Sequence, residues 1–234
     1  MDKKHKTIAI MGAMTEEIEP LLDIIKDYKC IEYAKNKYYK ANYKGLDLII
    51  AYSKIGKVNA SLTASVMIEK FGAQSLLFSG VAGAVNGNLK IGDILYATSL
   101  AQHDLDISAF GHPYGYVPEG SVFIKTDESL NKIANEVAKQ KGINLSSGVI
   151  ATGDQFICDE QKKQWIKNTF KADAIEMEGA SVAVVCDALG VPFFILRAIS
   201  DGAGMDAEFD FDKFLKTSSQ QSADFIVKMI DNLI

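Results

Sequence analysis

Short apolar runs and segments with helical spacing alternate along the chain. Apolar runs bounded by glycine or proline predict buried strands, and apolar residues three and four apart predict helices. The predicted strands cover residues 7–11, 75–79, 94–100, 149–152 and 191–200. The predicted helices cover residues 58–71, 127–142, 160–170 and 211–233. Tyrosine-rich alternation over residues 28–52, broken at Lys44 and Gly45, predicts a hairpin. The pattern indicates an α/β chain without a linker, and we expect one domain over residues 1–234.

Residues 174–203 form the most informative stretch, a predicted strand, apolar helix and strand. Glu176 and Glu178 flank Met177 at the end of the first strand, and the second strand runs into Asp201. Ligands of open α/β sheets sit outside the carboxyl ends of the strands. The carboxylates therefore mark a candidate site. Each of them alone could instead be a solvated strand end or a helix N-terminal carboxylate.

Arg197 is the only arginine in a lysine-rich chain. Its guanidinium can hold a carboxylate, a water or an anion in a two-pronged geometry that lysine cannot provide. We interpret Arg197 as functional. Nucleotide bias in the genome would explain the many lysines but not this exception.

Composition limits the class of protein. Of 234 residues, 48% are hydrophobic and 24% are charged, as in soluble globular proteins with a large core. The net charge of −5 argues against nucleic acid or an anionic membrane as partner. The N-terminal apolar run is short and is followed by acidic residues, so it predicts a strand rather than a signal peptide. Cys30, Cys158 and Cys186 are expected to be reduced, buried thiols, and the protein is expected to be cytoplasmic.

Two glycine-containing segments bear on cofactor binding. Gly12 stands alone before Glu16 and Glu17, so the dinucleotide fingerprint is absent and acidic residues would repel a pyrophosphate. Glu17 lies beside the end of the first strand, although first-turn helix stabilisation would also explain it. Residues 80–85 contain paired glycines and predict a ligand-binding loop.

Several polar and aromatic residues have a simpler interpretation. Lys54 and Lys57 lack the context of a P-loop and are expected to be solvated. The sequence His103-Asp104-Leu105-Asp106 lacks the further ligands of a metal site, so neither a metal nor a cofactor is predicted. The aromatic segment 110–118 predicts a loop that covers something. From its spacing alone, Phe156 is assigned to the core.

Six motifs together carry a family resemblance: GAMTEE, SKIGK, SGVAG, GDQFI, EMEGA and RAISD, in this order over nearly the whole chain. In them the chain resembles the bacterial methylthioadenosine/S-adenosylhomocysteine nucleosidases. The resemblance implies a single-domain, three-layer α/β fold of the nucleoside phosphorylase type, with a mixed central sheet flanked by helices. It also implies a homodimer that hydrolyses adenine nucleosides with water as the nucleophile.

The resemblance also implies roles for individual residues. Asp201 protonates the adenine at N7 with Ser200 orienting it, Glu178 holds the ribose hydroxyls, and Glu17 activates the water with Arg197 nearby. The expected contacts with the base, the ribose and the 5′-substituent involve Phe156, Ile157, Met177, Glu176, Val81, Ala82, Met14, Ile55 and Phe211. Phe110 and Pro118 are expected to close the pocket of the partner subunit.

The chemistry of N-ribosidic cleavage suits these residue types. Positive charge develops on the ribose, so nearby carboxylates stabilise the transition state more than the ground state. Asp201 must be protonated to act as a general acid, which requires a raised pKa. A direct contact with the Arg197 guanidinium would lower that pKa, so we expect Arg197 to point instead toward the water or Glu17. Val81 replaces a serine found in some relatives, and the missing hydroxyl is expected to be absent or supplied by Ser79.

The 5′-substituent and the nucleophile leave alternatives open. Methylthioadenosine, S-adenosylhomocysteine, 6-amino-6-deoxyfutalosine and 5′-deoxyadenosine are all candidate substrates under the resemblance. A phosphorylase would attack with phosphate, which needs several fixed cations. A binding protein without catalysis would be expected to have lost Glu17 or Asp201, and both are present.

Overall fold

A computed structural model of the chain describes residues 6–202 and 207–233. Its strands are β1 (Thr7–Gly12), β2 (Tyr28–Tyr33), β3 (Asn36–Tyr43), β4 (Leu46–Tyr52), β5 (Ser75–Ala84), β6 (Ile94–Gln102), β7 (Ile124–Lys125), β8 (Leu145–Thr152), β9 (Ala174–Glu176) and β10 (Phe193–Asp201). Its α-helices are α1 (Thr15–Ile25), α2 (Lys57–Glu69), α3 (Glu128–Lys141), α4 (Glu160–Phe170), α5 (Gly179–Leu189) and α6 (Ala207–Asp231), and Ser108–Phe110 is a 3-10 turn. Ala203 and both ends of the predicted domain lie outside the described residues.

The strand β5 is the centre of a mixed sheet. It pairs in parallel with β1 and β10 and antiparallel with β9. The sheet order is β10-β6-β8-β9-β5-β1-β4-β3-β2, and the additional pairing of β10 with β5 closes five of these strands into a ring. The predicted mixed sheet is confirmed. Since β1, β5 and β10 are parallel, their carboxyl ends meet at one edge.

Helices cover both faces of the sheet, as the three-layer prediction requires. One apolar core lies under α2 and α5 and includes Met67 and Val182. The other lies under α1, α3 and α6 and includes Leu21 and Ile226. Local signals set the helix ends: Asp127 accepts hydrogen bonds from the first-turn N–H groups of Ser129 and Leu130, and α3 stops at the left-handed Gly142.

Two predictions of local structure need correction. The predicted hairpin is a three-strand meander, because a second turn at Ala34 and Lys35 places both residues at positive φ. The predicted loop at residues 80–85 is the buried end of β5, which continues through Ala84 because it pairs with both β10 and β9. Its glycines allow close packing within a strand rather than a flexible turn.

The cysteines also differ from expectation. Cys186 is buried, and burial raises the pKa of its thiol to about 12. Cys30 and Cys158 are exposed, since β2 is an edge strand and Cys158 precedes α4 on the surface. The prediction of buried thiols is therefore right for one cysteine only. Within the described ranges, every helix is too short or too polar to cross a bilayer.

Candidate active site

A cavity of about 290 Å³ opens at the carboxyl ends of β1, β5 and β10. Its wall contains carboxylates, two aromatic rings, methionines and small residues. The lining residues are Ala13, Met14, Glu17, Ile55, Val81, Ala82, Gly83, Gln155, Phe156, Ile157, Ile175, Glu176, Met177, Glu178, Ser200, Asp201 and Phe211. The structure therefore brings together residues from both ends of the chain. The volume of the cavity is close to the lower limit for small-molecule sites.

Glu17 is a buried carboxylate with a defined orientation. Its Oε2 accepts hydrogen bonds from the N–H groups of Ala13 at 2.5 Å and Met14 at 3.0 Å, and its Oε1 accepts one from Val81 at 3.0 Å. Burial raises the pKa of Glu17, while the nearby Arg197 charge and the three N–H donors oppose that rise. A carboxylate with a raised pKa and a fixed direction is suited to take a proton from water.

Arg197 contacts Glu176 rather than the cavity. Its Nη2 lies 2.6 Å from Glu176 Oε2, its Nη1 donates to the carbonyl of Leu196 at 3.0 Å, and its guanidinium lies 4.1 Å from the centre of the Phe78 ring. The ion pair of Arg197 is with Glu176, while its charge also lies near enough to Glu17 to lower the pKa of that carboxyl, so the expectation that Arg197 points toward the water or Glu17 stays a prediction. A fully buried guanidinium needs a carboxylate at bonding distance, and Glu176 supplies it.

Glu176 has its acceptor capacity occupied by the protein. In addition to Arg197, it accepts hydrogen bonds from the hydroxyl of Thr152 and from the N–H groups of Glu178 at 3.2 Å and Gly179 at 2.7 Å. Its side chain forms part of the cavity wall. These contacts assign Glu176 to holding Arg197 and the start of α5, whereas its predicted contact with substrate stays a prediction.

Glu178 stands at the start of α5 and lines the cavity. Its Oε1 accepts a hydrogen bond from the Gly56 N–H at 2.7 Å. Burial, followed by the repulsion of Glu176, raises the pKa of Glu178 to about 8. A side chain that changes protonation near neutrality can both accept and donate hydrogen bonds to hydroxyl groups.

Asp201 ends β10 at an irregularity in the sheet. The pairing of β10 with β5 shifts register between Ile199 and Asp201. The hydroxyl of Ser200 donates to Asp201 Oδ2 at 2.9 Å, and both residues are buried. A bulge at a strand end re-aims side chains, which here places two consecutive residues on the cavity wall.

The residues predicted to make apolar contacts with the substrate line the cavity. Met14, Ile55, Ile157, Met177 and Phe211 all line it, as do Val81 and Ala82 of β5. Phe156 is 46% exposed and meets Phe211 edge to face, with ring centres 5.6 Å apart. The assignment of Phe156 to the core is therefore wrong, because its loop turns the ring out of the packed interior.

Other predicted residues lie away from the cavity. Phe110 is 82% exposed on the 3-10 turn, and neither it nor Pro118 lines the cavity of its own chain. The Ser79 hydroxyl lies 2.8 Å from that of Ser222 on α6, and neither serine lines the cavity. Ser79 therefore does not replace the serine hydroxyl missing at Val81.

Two polar residues outside the cavity also depart from the simple interpretation. Lys57 is not solvated: its Nζ lies 2.6 Å from Asp104 Oδ1. The His103 ring is buried with neither nitrogen bonded among the described residues, and burial lowers its pKa to about 4. Within the part of the chain that the structure describes, no three histidine, cysteine or acidic side chains are grouped as a metal site requires.

Sequence reasoning did not single out three of the lining residues, Ala13, Gln155 and Ile175, whereas Gly83 lies in the predicted ligand-binding segment. Ala13 and Gln155 lie inside the motifs GAMTEE and GDQFI, so the motifs themselves could have indicated them. Ile175 gives no such signal. It lines the cavity because β9 pairs with the end of β5.

Comparisons with known proteins agree with this architecture. The sequence profile described as the phosphorylase superfamily matches residues 7–231. The aminodeoxyfutalosine nucleosidase of Campylobacter jejuni is 66% identical over 226 residues, which cover 97% of this chain and 99% of that protein. The 5′-methylthioadenosine/S-adenosylhomocysteine nucleosidase of a Geobacillus strain is 38% identical over 228 residues, covering 97% and 98% respectively.

A solved structure shows the same fold. It is the 5′-methylthioadenosine/S-adenosylhomocysteine nucleosidase from Helicobacter pylori with butyl-thio-DADMe-Immucillin-A. The two chains superimpose with a TM-score of 0.97 at 48% identity, covering 98% of this chain and 100% of the other.

Proposed function

This chain belongs to the phosphorylase superfamily, and we propose that within it the protein is a nucleosidase that hydrolyses the N-ribosidic bond of adenine nucleosides. The observation that carries the proposal is the gathering of Glu17, Glu178 and Asp201 around one cavity. Such a wall favours a sugar that becomes positively charged in the transition state.

The same geometry favours water over phosphate as the nucleophile. The Arg197 guanidinium is bound to Glu176, and a phosphate dianion in the cavity would approach several carboxylates. Glu17 has the raised pKa expected of a base that removes a proton from water. A phosphorylase would need fixed cations at this position.

We assign the steps as follows. Water attacks C1′ of the ribose and gives a proton to Glu17, while the bond from C1′ to the base breaks. Asp201, oriented by Ser200, gives a proton to N7 of the leaving adenine. Glu178 binds the ribose hydroxyls. The products are adenine and the free sugar, so atoms and charge balance without a cofactor.

The remaining wall of the cavity supports binding of the base and the 5′-substituent. We propose that Phe156 stacks on the adenine, the Ile157 backbone contacts its edge and Met177 packs under the ribose. Met14, Ile55 and Phe211 then surround the 5′-substituent, with Val81 and Ala82 behind the base. The relatives' names support 6-amino-6-deoxyfutalosine, methylthioadenosine and S-adenosylhomocysteine as substrates.

We further propose that the protein is a cytoplasmic homodimer in which Phe110 and Pro118 close the partner's cavity. Support comes from large apolar residues that one chain leaves exposed: Phe110 at 82%, Val58 at 78%, Leu62 at 50% and the cavity-lining Ile55 at 52%. Phe110→Ala should lower activity by roughly tenfold while Tm stays within a few degrees. An active monomer in sedimentation experiments would contradict the shared site.

The test of function is adenine release from methylthioadenosine in phosphate-free buffer and again with phosphate added. Equal release in both, with the free sugar identified by mass, is the expected result. Release that requires phosphate and yields the sugar 1-phosphate would establish a phosphorylase. Binding without release in either buffer would favour the non-catalytic alternative. Parallel assays with S-adenosylhomocysteine and 6-amino-6-deoxyfutalosine then rank the 5′-substituents.

A further inference from the structure

Two neighbouring loops that both line the cavity are joined by a small charged network. One loop, residues 53–57, carries Ile55, and the other, residues 153–157, carries Phe156 and Ile157. The network consists of Lys57, Asp104 and Asp154, and we call it the loop clamp.

Asp104 is the residue that bridges the two loops. Its Oδ1 lies 2.6 Å from Lys57 Nζ, and its Oδ2 accepts a hydrogen bond from the Asp154 N–H at 2.8 Å. The side chains of Asp104 and Lys57 are only 16% and 18% exposed. Since little solvent reaches the pair, its attraction is less screened than that of a surface ion pair.

Asp154 adds a second connection between the loops. Its Oδ1 accepts a hydrogen bond from the N–H of Lys57, the first residue of α2, at 2.7 Å. A carboxylate at this position satisfies an unpaired N–H and interacts favourably with the helix dipole. Gly56 lets Asp154 approach: a Cβ there would lie 3.0 Å from Asp154 Oδ1, and its φ of +99° favours glycine.

The clamp extends to the carboxylate assigned to the ribose. Gly56 donates its N–H to Glu178 Oε1 at 2.7 Å, directly before the residue that Asp104 and Asp154 hold. The position of Lys57 therefore determines where Gly56 presents its N–H to Glu178, while the position of Asp154 determines where Phe156 stands.

From these contacts we propose that Lys57 and Asp104 are positioning residues, which hold the two loops at the separation that a nucleoside requires between Phe156 and Glu178. The identity of the ligand rests on the proposed function. The clamp itself contacts neither Glu17 nor Asp201 in its hydrogen bonds given above, so its loss affects binding more than the chemical step.

Kinetics test the effect on the ligand. Asp104→Asn, which keeps one acceptor oxygen without the charge, and Lys57→Met should each raise KM for methylthioadenosine roughly tenfold and lower kcat by less than about threefold. Lys57→Arg should recover most of the wild-type KM. The KM of the double variant Lys57→Met with Asp104→Asn should be no higher than that of the more impaired single variant, because both substitutions remove the same interaction.

The matched control is Lys54→Met, in the same loop. Lys54 is exposed and its Nζ donates to the Lys35 carbonyl at 3.1 Å, away from the clamp. Its KM should remain at the wild-type value. An unchanged KM in Asp104→Asn and Lys57→Met, or an equal change in Lys54→Met, would overturn the proposal.

Hydrogen exchange tests the clamp without relying on catalysis. In the unliganded protein, Asp104→Ala should reduce the protection of the Asp154 and Lys57 amides, while amides in β5 keep theirs. Unchanged protection would overturn the clamp whatever the enzyme does. If the wild-type protein releases no adenine but the two amides respond, the proposed function fails and the loop contacts stand.

Discussion

Replacing Arg197 with methionine removes one half of a buried ion pair. The Arg197 and Glu176 side chains are 1% and 2% exposed, and their closest atoms are 2.6 Å apart. Removing one partner of a buried pair costs roughly 3–5 kcal/mol, because the remaining charge is left uncompensated. Glu176 keeps three other donors, from Thr152, Glu178 and Gly179, so we expect a cost near the lower limit, about 3 kcal/mol.

Thermal and urea unfolding at one protein concentration measure this cost. About 3 kcal/mol corresponds to a fall in Tm of roughly 6–12 °C for a chain of this size. The double variant Arg197→Met with Glu176→Gln should recover about half of the loss or more, since no unpaired carboxylate remains. A loss below about 1 kcal/mol in Arg197→Met, or additive losses in the double variant, would refute the reasoning.

Three further substitutions test the site. Burial and Glu176 raise the pKa of Glu178 to about 8 from 4.5, so the folded protein holds a proton that the unfolded chain releases, and stability falls as pH rises between these values. Glu178→Gln should lose activity, and its Tm should exceed that of the wild type by an amount that grows from pH 5 to pH 8. A Tm gain that does not depend on pH would contradict the raised pKa of Glu178. Asp201→Asn should reduce kcat by roughly a thousandfold while a substrate analogue still binds in calorimetry, and near-normal turnover would remove it as the acid. Gly80→Ala places a Cβ 2.7 Å from Glu17 Oε1 and should lower kcat roughly tenfold or more. In the matched control Gly87→Ala, the added Cβ meets nothing within 4 Å, and kcat should stay at the wild-type value. Equal rates in the two variants would show that the Glu17 carboxylate tolerates displacement.

Local patterns predicted most elements because helix ends and strand runs depend on neighbouring residues. The helix over residues 160–170 has the predicted bounds, and α3 differs from its prediction by one residue at each end. The turn at Ala34 and Lys35 was not predicted, because neither residue type indicates the left-handed conformation that both adopt. The strand at residues 80–84 was not predicted, because its glycines indicate a turn, whereas pairing on both edges keeps it extended.

The candidate site was predictable as a set of motifs but not as a set of contacts. The carboxylates at the strand ends identified Glu17, Glu178 and Asp201, and the structure brings all three to one cavity. The ion-pair partner of Arg197 was not predictable: we expected the water or Glu17, and the pairing of strands places Glu176 beside the guanidinium. Lys57 likewise resembled any solvated lysine until the fold placed Asp104 beside it.

By itself the sequence determined which segments become strands and helices, that carboxylates end the strands, and which family the motifs resemble. The tertiary structure alone decided which buried charge meets which. Periodicity indicates only on which face of its own helix or strand a residue lies. The hydrogen bonds between Glu17 and Val81 and between Gly56 and Glu178 instead join positions 64 and 122 residues apart. Such contacts form only because the order and register of the strands bring distant backbone donors to a carboxylate that burial has deprived of water.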